Sequence, residues 1–133
     1  MKSKSDDLLV QKYDLALGAY YFYDRYFIAE IKEGEVITLE KLQDLIPIVQ
    51  KHFGNGEPFS FISDRIHSHS IFPTDYMYCP LIQMDNFKGY GVVTHNKTSE
   101  MSIKIEKHFA QRPFYHFKNI QDAIDWAKNG LLK

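Results

Sequence analysis

The chain has 133 residues, the usual size of one domain, and its 44% hydrophobic and 25% charged residues suit a soluble protein with a normal core. The formal net charge of −1 supplies no basic field for phosphate backbones, so nucleic acid is not an expected partner. A single cysteine, Cys79, permits no internal disulfide and completes no zinc knuckle; the N-terminal stretch MKSKSDDLLVQK lacks a signal peptide's apolar run, and no apolar stretch is long enough to span a membrane. A reducing cytoplasm is the expected compartment.

In chain order, residues 1–11 are expected to form a flexible N-terminus, and 12–133 a single domain. Lys12 to Leu17 alternates as a first strand. Ala19 to Tyr23 and Tyr26 to Ile31 are aromatic and strand-prone, and the turn Asp24-Arg25 between them is so short that they must be antiparallel neighbours. The alternation predicts one buried face and one that displays tyrosines, which suits a partner or dimer contact, ahead of the alternative that Tyr20 to Tyr23 with Tyr26 and Phe27 line an apolar ligand pocket. Thr38 reads as the N-cap of a first helix with Leu39, Leu42, Leu45, Ile46, Val49 and Phe53 on its apolar face. Pro47 would kink that helix, and Gly54 would end it as a C′ residue.

Phe59 to Ser63 then forms a short buried strand. The chain turns polar at Asp64, Arg65, His67, Ser68, His69 and Ser70, and Phe72-Pro73-Thr74-Asp75 reads as the entry to a helix. Pro73 to Gln83 is expected to be a short irregular helix. Phe87 to Thr94 is a nearly unbroken apolar run, the pattern of a strand covered on both faces, with Gly89 and Gly91 leaving room for close packing. Thr98 or Ser99 caps the next helix, where Met101, Ile105 and Phe109 form a stripe; Arg112-Pro113 ends it. Phe114 to Phe117 is the last strand. Asn119 caps the last helix with Asp122, and Ile120, Ala123, Ile124, Ala127 and Leu131 face the core. Helices alternating with strands require crossovers, hence parallel pairing in a mixed sheet of one α/β domain.

Ligands in such sheets gather beyond the carboxyl end of a central strand. The expected site is therefore Asp64 to Asp75, with Asp64, Arg65, His67, Ser68, His69, Ser70 and Asp75 as ligand- or partner-binding residues. His67 and His69 point the same way on extended backbone, as metal ligands would, but two histidines make half a site. A solvated loop is the preferred reading, with no metal and no cofactor. Asp64 and Arg65 read as a local ion pair shaping the turn, ahead of a role for Arg65 in holding an anion. Cys79 has no neighbouring cation in sequence to lower its pKa and reads as a buried, inert thiol.

Three stretches carry a resemblance over nearly the whole chain after residue 12: YYFYDRYFIAEIKEGEVITLEK, PFSFISDRIHSHSIFPTDY, and VVTHN through KHFAQRPFYHFKNIQDAIDWAK. In order and spacing of elements they resemble the STAS domain, and most closely the stand-alone SpoIIAA-like proteins of bacteria, a group linked to CRAL-TRIO lipid-binding folds. The resemblance implies a single-domain, mostly parallel sheet with antiparallel N-terminal strands and about four helices. It implies a non-catalytic regulatory or protein-interaction module like the anti-sigma-factor antagonists, with an unidentified protein partner or a second copy of itself, and a small anionic or apolar ligand. Carriage of a hydrophobic ligand is the alternative, ahead of a hydrolase or metal enzyme using His67, His69, Asp64 and Cys79. In the antagonist branch a serine just after the third strand, in an Asp-Ser pair at a helix start, is phosphorylated by a kinase partner. Here Ser63-Asp64-Arg65 precedes His-Ser-His-Ser, so Ser68 and Ser70 are the nominated acceptors.

Overall fold

The computed structural model describes residues 7–67, 70–71, 79–96, 103–108 and 112–130. Three aromatic strands follow one another: β1 (Gln11–Asp14), β2 (Gly18–Phe22) and β3 (Tyr26–Ile31), each antiparallel to the last. β5 (Phe59–Arg65), β7 (Phe87–Thr94) and β8 (Phe114–Phe117) then add in parallel, giving the order β1-β2-β3-β5-β7-β8. β5 and β7 lie side by side inside the sheet, and the mixed, mostly parallel α/β architecture is as expected. A two-stranded parallel ladder of β4 (Val36–Ile37) and β6 (Ser70–Ile71) stands apart from the main sheet; no periodicity announced strands this short.

Helix α1 (Ile46–Phe53) covers one sheet face and α3 (Ile120–Gly130) the other; residues 103–108 are helical and are called α2. The described helices thus number three; of the short irregular helix expected over Pro73 to Gln83, Pro80–Gln83 form a 3-10 turn, and residues 73–78 lie outside the described residues. On the α1 face, Phe22, Phe27, Phe53 and Phe59 stack in sequence, Phe22 on Phe27 at 4.8 Å and Phe53 on Phe59 at 4.4 Å between ring centroids. Such pairs contribute about 0.5–1.5 kcal/mol each beyond the area they bury. On the α3 face, Tyr23, Tyr26, Ile28, Ile62 and Val93 meet Ala123, Ile124 and Ala127. Trp126 lies across Gly91, where an added Cβ would come within 2.7 Å of its ring; the close packing read from the glycines is this contact.

Several local expectations are corrected. Thr38 does not cap a helix running from residue 38: its Oγ1 accepts from the Lys41 amide at 3.3 Å in a turn, and regular helix starts at Ile46. Pro47 therefore falls in the first helical turn, where a missing N–H costs nothing, and it starts the helix instead of kinking it. Gly54 stays in the helical region at φ −72°; the left-handed turn is made by Gly56 at φ +89°. The tyrosine-displaying face is absent: Tyr20, Tyr21, Tyr23 and Tyr26 are all buried, because both sheet faces are covered. In α2 the buried residues are Ile103 and Glu106, while Ile105 is 57% exposed, so the stripe is not the one expected; Met101 and Phe109 lie outside the described residues. The α3 cap forms as expected, with the Asp122 amide donating to Asn119 Oδ1 at 2.9 Å and the Asn119 amide nitrogen donating back to the Asp122 carboxylate at 3.0 Å; Leu131 lies outside the described residues. Asp7 accepts from the Tyr26 hydroxyl at 2.5 Å and from Lys128 Nζ at 2.9 Å, tying the segment before β1 to the α3 face.

Candidate functional site

β5 does not end at Ser63. Its pairing with β7 continues through Ser63 opposite Val92, Asp64 opposite Val93 and Arg65 opposite Thr94. Asp64 and Arg65, expected in a solvated loop, are strand residues, each 4% exposed. Alternation along a strand sends them to opposite faces, so the ion pair expected between them does not form. Each is satisfied instead by a residue distant in sequence, as buried charges require.

On the α1 face, the Arg65 guanidinium meets Glu106 of α2 in a two-pronged pair, Nη1 donating to Oε2 and Nη2 to Oε1, while Nε donates to Ser63 Oγ at 3.5 Å. The Glu106 side chain is as deeply buried as that of Arg65. Arg65 also lines an apolar cavity of about 60 Å³. Its sheet wall includes Phe27, Ala29, Phe61, Tyr90 and Val92, and the opposite wall includes Ile37, Leu42, Leu45, Cys79 and Leu81. Tyr20 and Tyr90 also line it. Burial holds both phenols well above the usual tyrosine range; Asp44 adds to this for Tyr20, and Cys79 adds to it for Tyr90 against a lowering by Arg112. Arg112 closes the floor of the sheet, donating to the carbonyls of Phe87 and Met84 at 2.9 and 2.7 Å. Cys79 is buried, as read from the sequence.

On the α3 face, Asp64 Oδ1 pairs with His95 Nε2 at 2.7 Å, and His67 Nε2 lies 3.4 Å from Glu30 Oε1. Register brings the two pairs side by side: Ala29 is opposite Ser63, so Glu30 follows on beside Asp64. The two imidazoles are 40–45% exposed, and the carboxylates beneath them are less so. Buried Asp64 can orient the His95 ring for proton transfer, but Cys79 lines the cavity on the other sheet face, so the described residues bring no thiol to it. Among the described residues, no group of three His, Cys, Asp or Glu side chains could hold a metal ion.

Of the site residues expected from the sequence, Asp64, Arg65 and His67 gather at the carboxyl end of β5. Ser70 contributes backbone to β6, opposite Val36. Ser68, His69 and Asp75, with the helix entry at 72–75, lie outside the described residues. The reading missed Glu106, His95 and the cavity lining other than Tyr20 and Phe27. One signal pointed to the first two: Ser63-Asp64-Arg65 continues the strand's alternation, so each charged residue needed a partner on its own face.

No protein-family model matches the chain, and no curated protein does. Among the described residues, no helix is long and apolar enough to cross a membrane. Among solved structures, the chain is similar to an uncharacterized protein of the DUF3478 family with a SpoIIAA-like fold, from Shewanella loihica PV-4. The two align over 96% of this chain and 98% of that one, with a TM-score of 0.54 and 17% identity. Likeness at that identity concerns the backbone: the chain has a SpoIIAA-like fold, as its order of strands and helices implied.

Proposed function

We propose that the protein is a non-catalytic, ligand-responsive regulatory module. A small, mainly apolar molecule occupies the cavity beside Arg65, and the polar segment after β5, including Ser68, His69, Ser70 and Asp75, meets a protein partner or a second copy of the chain. One observation carries this reading: an apolar cavity of about 60 Å³ lies along one face of β3, β5 and β7, and Arg65, at the carboxyl end of β5, is among its lining residues, at the end of the strands where open α/β sheets bind their ligands. The fold supports it as well, since anti-sigma-factor antagonists are the regulatory branch named with this architecture. Cavity size disfavours the alternative of a lipid carrier. An engineered cavity of about 150 Å³ holds one benzene, and an acyl chain needs several times the space present here.

Dissolved xenon, which enters dry apolar cavities, tests the cavity. With methyl-labelled protein, saturable shifts are expected at Ala29 and Val92, and these should vanish in an Ala29→Leu variant that fills the space. Shifts spread over surface methyls, or unchanged in Ala29→Leu, would remove the ligand-binding half of the reading.

A further inference from the structure

We propose that the cavity binds a short-chain aliphatic carboxylic acid, whose carboxylate takes the place of Glu106 on the Arg65 guanidinium and frees α2 from the sheet. This rests on the ligand-binding reading above and names its ligand class. Among the described residues lining the cavity, Arg65 is the one that carries a charge. Its fork already holds a carboxylate in the two-pronged geometry for which guanidinium is suited. A ligand carboxylate reproduces that geometry, so the exchange strands no donor on Arg65. A cation would meet the arginine's charge, and a phosphate would carry a second charge and its hydration among apolar walls.

Size sets the tail. One benzene in about 150 Å³ is roughly 25 Å³ per carbon. The cavity's volume of about 60 Å³ therefore takes about two or three carbons behind the carboxyl group. Propionate, butyrate and isobutyrate fit this description, and longer chains do not.

Displaced Glu106 cannot remain where it is. Its carboxylate would be buried close to the carboxylate that replaced it on Arg65, an arrangement that like charges disfavour. It must turn to solvent. Ile103 and Glu106 are the two buried residues of 103–108, and Ile105 already faces out. Losing Glu106 leaves Ile103 as the segment's one buried side chain, so ligand occupancy becomes a change in how α2 sits on the sheet.

The test is a methyl-NMR titration at fixed ionic strength with acetate, propionate, butyrate, isobutyrate and hexanoate, and with isobutanol and xenon as neutral probes. It is run on the native chain, on Glu106→Gln and on the double variant Arg65→Met/Glu106→Leu. The expected result is saturable butyrate or isobutyrate binding seen at Ala29 and Val92, with acetate and hexanoate weaker. Binding to Glu106→Gln should be at least tenfold tighter, because an amide competes poorly with a carboxylate for Arg65. In the native chain, amide hydrogen exchange over 103–108 should rise on saturation. The double variant, which has no buried charge to strand, should admit isobutanol and xenon but not the acids. Equal acid binding by the double variant, no tightening in Glu106→Gln, or unchanged exchange over 103–108 would overturn the proposal. Entry of xenon and isobutanol without the acids would overturn it and leave the cavity reading in place; entry of neither kind of probe would overturn both.

Discussion

Replacing Glu106 with leucine tests the buried pair directly. The substitution removes the carboxylate that the Arg65 guanidinium holds inside the protein, while its contact with Ser63 Oγ at 3.5 Å stays. Both charged side chains are only 5% exposed, so water does not screen them as it would a surface pair. Removing one partner of such a pair costs about 3–5 kcal/mol, because the other charge is left desolvated. Domains are held by about 5–15 kcal/mol in all, so this is a large share. At about 2.1 cal/mol/K per residue, a chain of 133 residues unfolds with an entropy of roughly 0.28 kcal/mol/K, so the melting temperature should fall by about 11–18 °C.

The assay is urea unfolding of three chains: native, Glu106→Leu, and Arg65→Met/Glu106→Leu. The single variant should lose about 3–5 kcal/mol. The double variant should recover most or all of it, since replacing a whole buried pair with apolar residues of similar volume is often neutral or stabilising. A loss below about 1 kcal/mol in the single variant, the range of exposed pairs, would refute the reasoning. So would a double variant no more stable than Glu106→Leu.

Val92→Asp should prevent folding, because Val92 is 1% exposed in a strand paired on both sides and an unpaired carboxylate there is very costly; native-like circular dichroism and melting would contradict this. Gly91→Ala should destabilise by about 1–3 kcal/mol, because the new Cβ meets the Trp126 ring at 2.7 Å; urea midpoints decide it, and an unchanged midpoint would mean that Trp126 moves aside freely. Stability should fall at both ends of the pH range. Burial, with Lys51 second, holds the His52 pKa below its ordinary 6.5, so the unfolded chain takes that proton first; the stability His52 contributes is full above 6.5 and declines as pH falls through the folded value. Burial raises the pKa values of Tyr20 and Tyr90 above their ordinary 10.0, so their contribution is full below 10.0 and declines as pH rises beyond it. Melting against pH should show both limbs, and His52→Gln should flatten the acid limb alone; an acid limb unchanged in that variant would assign it to other groups.

The sheet was legible because its signals are local. Phe87 to Thr94 is apolar at nearly every position, and such a run has no exposed face to offer, so a central place for β7 followed from its own residues. The hairpins of β1, β2 and β3 followed from turns too short for any crossover. The site was legible only in position. Asp64 and Arg65 read as loop residues because charge in a short stretch usually means solvent, and what makes them strand residues lies far along the chain: His95 is 31 positions from Asp64, and Glu106 is 41 from Arg65. The cavity was legible only as the lesser-ranked reading of the aromatic cluster, through Tyr20 and Phe27, since it is the space left between side chains from β2, β3, β5, β7 and the opposite wall. Pro47 was a different kind of miss, for its place in a first helical turn could have been read from the preference of proline for that position.

Two departures from economical packing coincide among the described residues. Elsewhere the levels agree: aromatic alternation builds covered strands, Asn119 and Asp122 cap the helix they begin, and Gly91 receives the ring of Trp126. At the carboxyl end of β5 they do not. A void forfeits dispersion contacts for every group along its wall, and a buried ion pair is seldom more stable than the apolar side chains that could replace it. Leucine or methionine at positions 65 and 106 would relieve the second departure, and a larger residue in place of Ala29 would relieve the first. Each departure alone is an ordinary imperfection of a folded chain. Side by side, the void supplies room for an apolar tail and the guanidinium supplies the fork that a carboxylate needs. Neither use is open to a fully packed, uncharged core. Places where local rules fail together in an otherwise consistent fold are where function is expected, and this is why the cavity and Arg65, more than the exposed histidines on the opposite face, carry the functional reading.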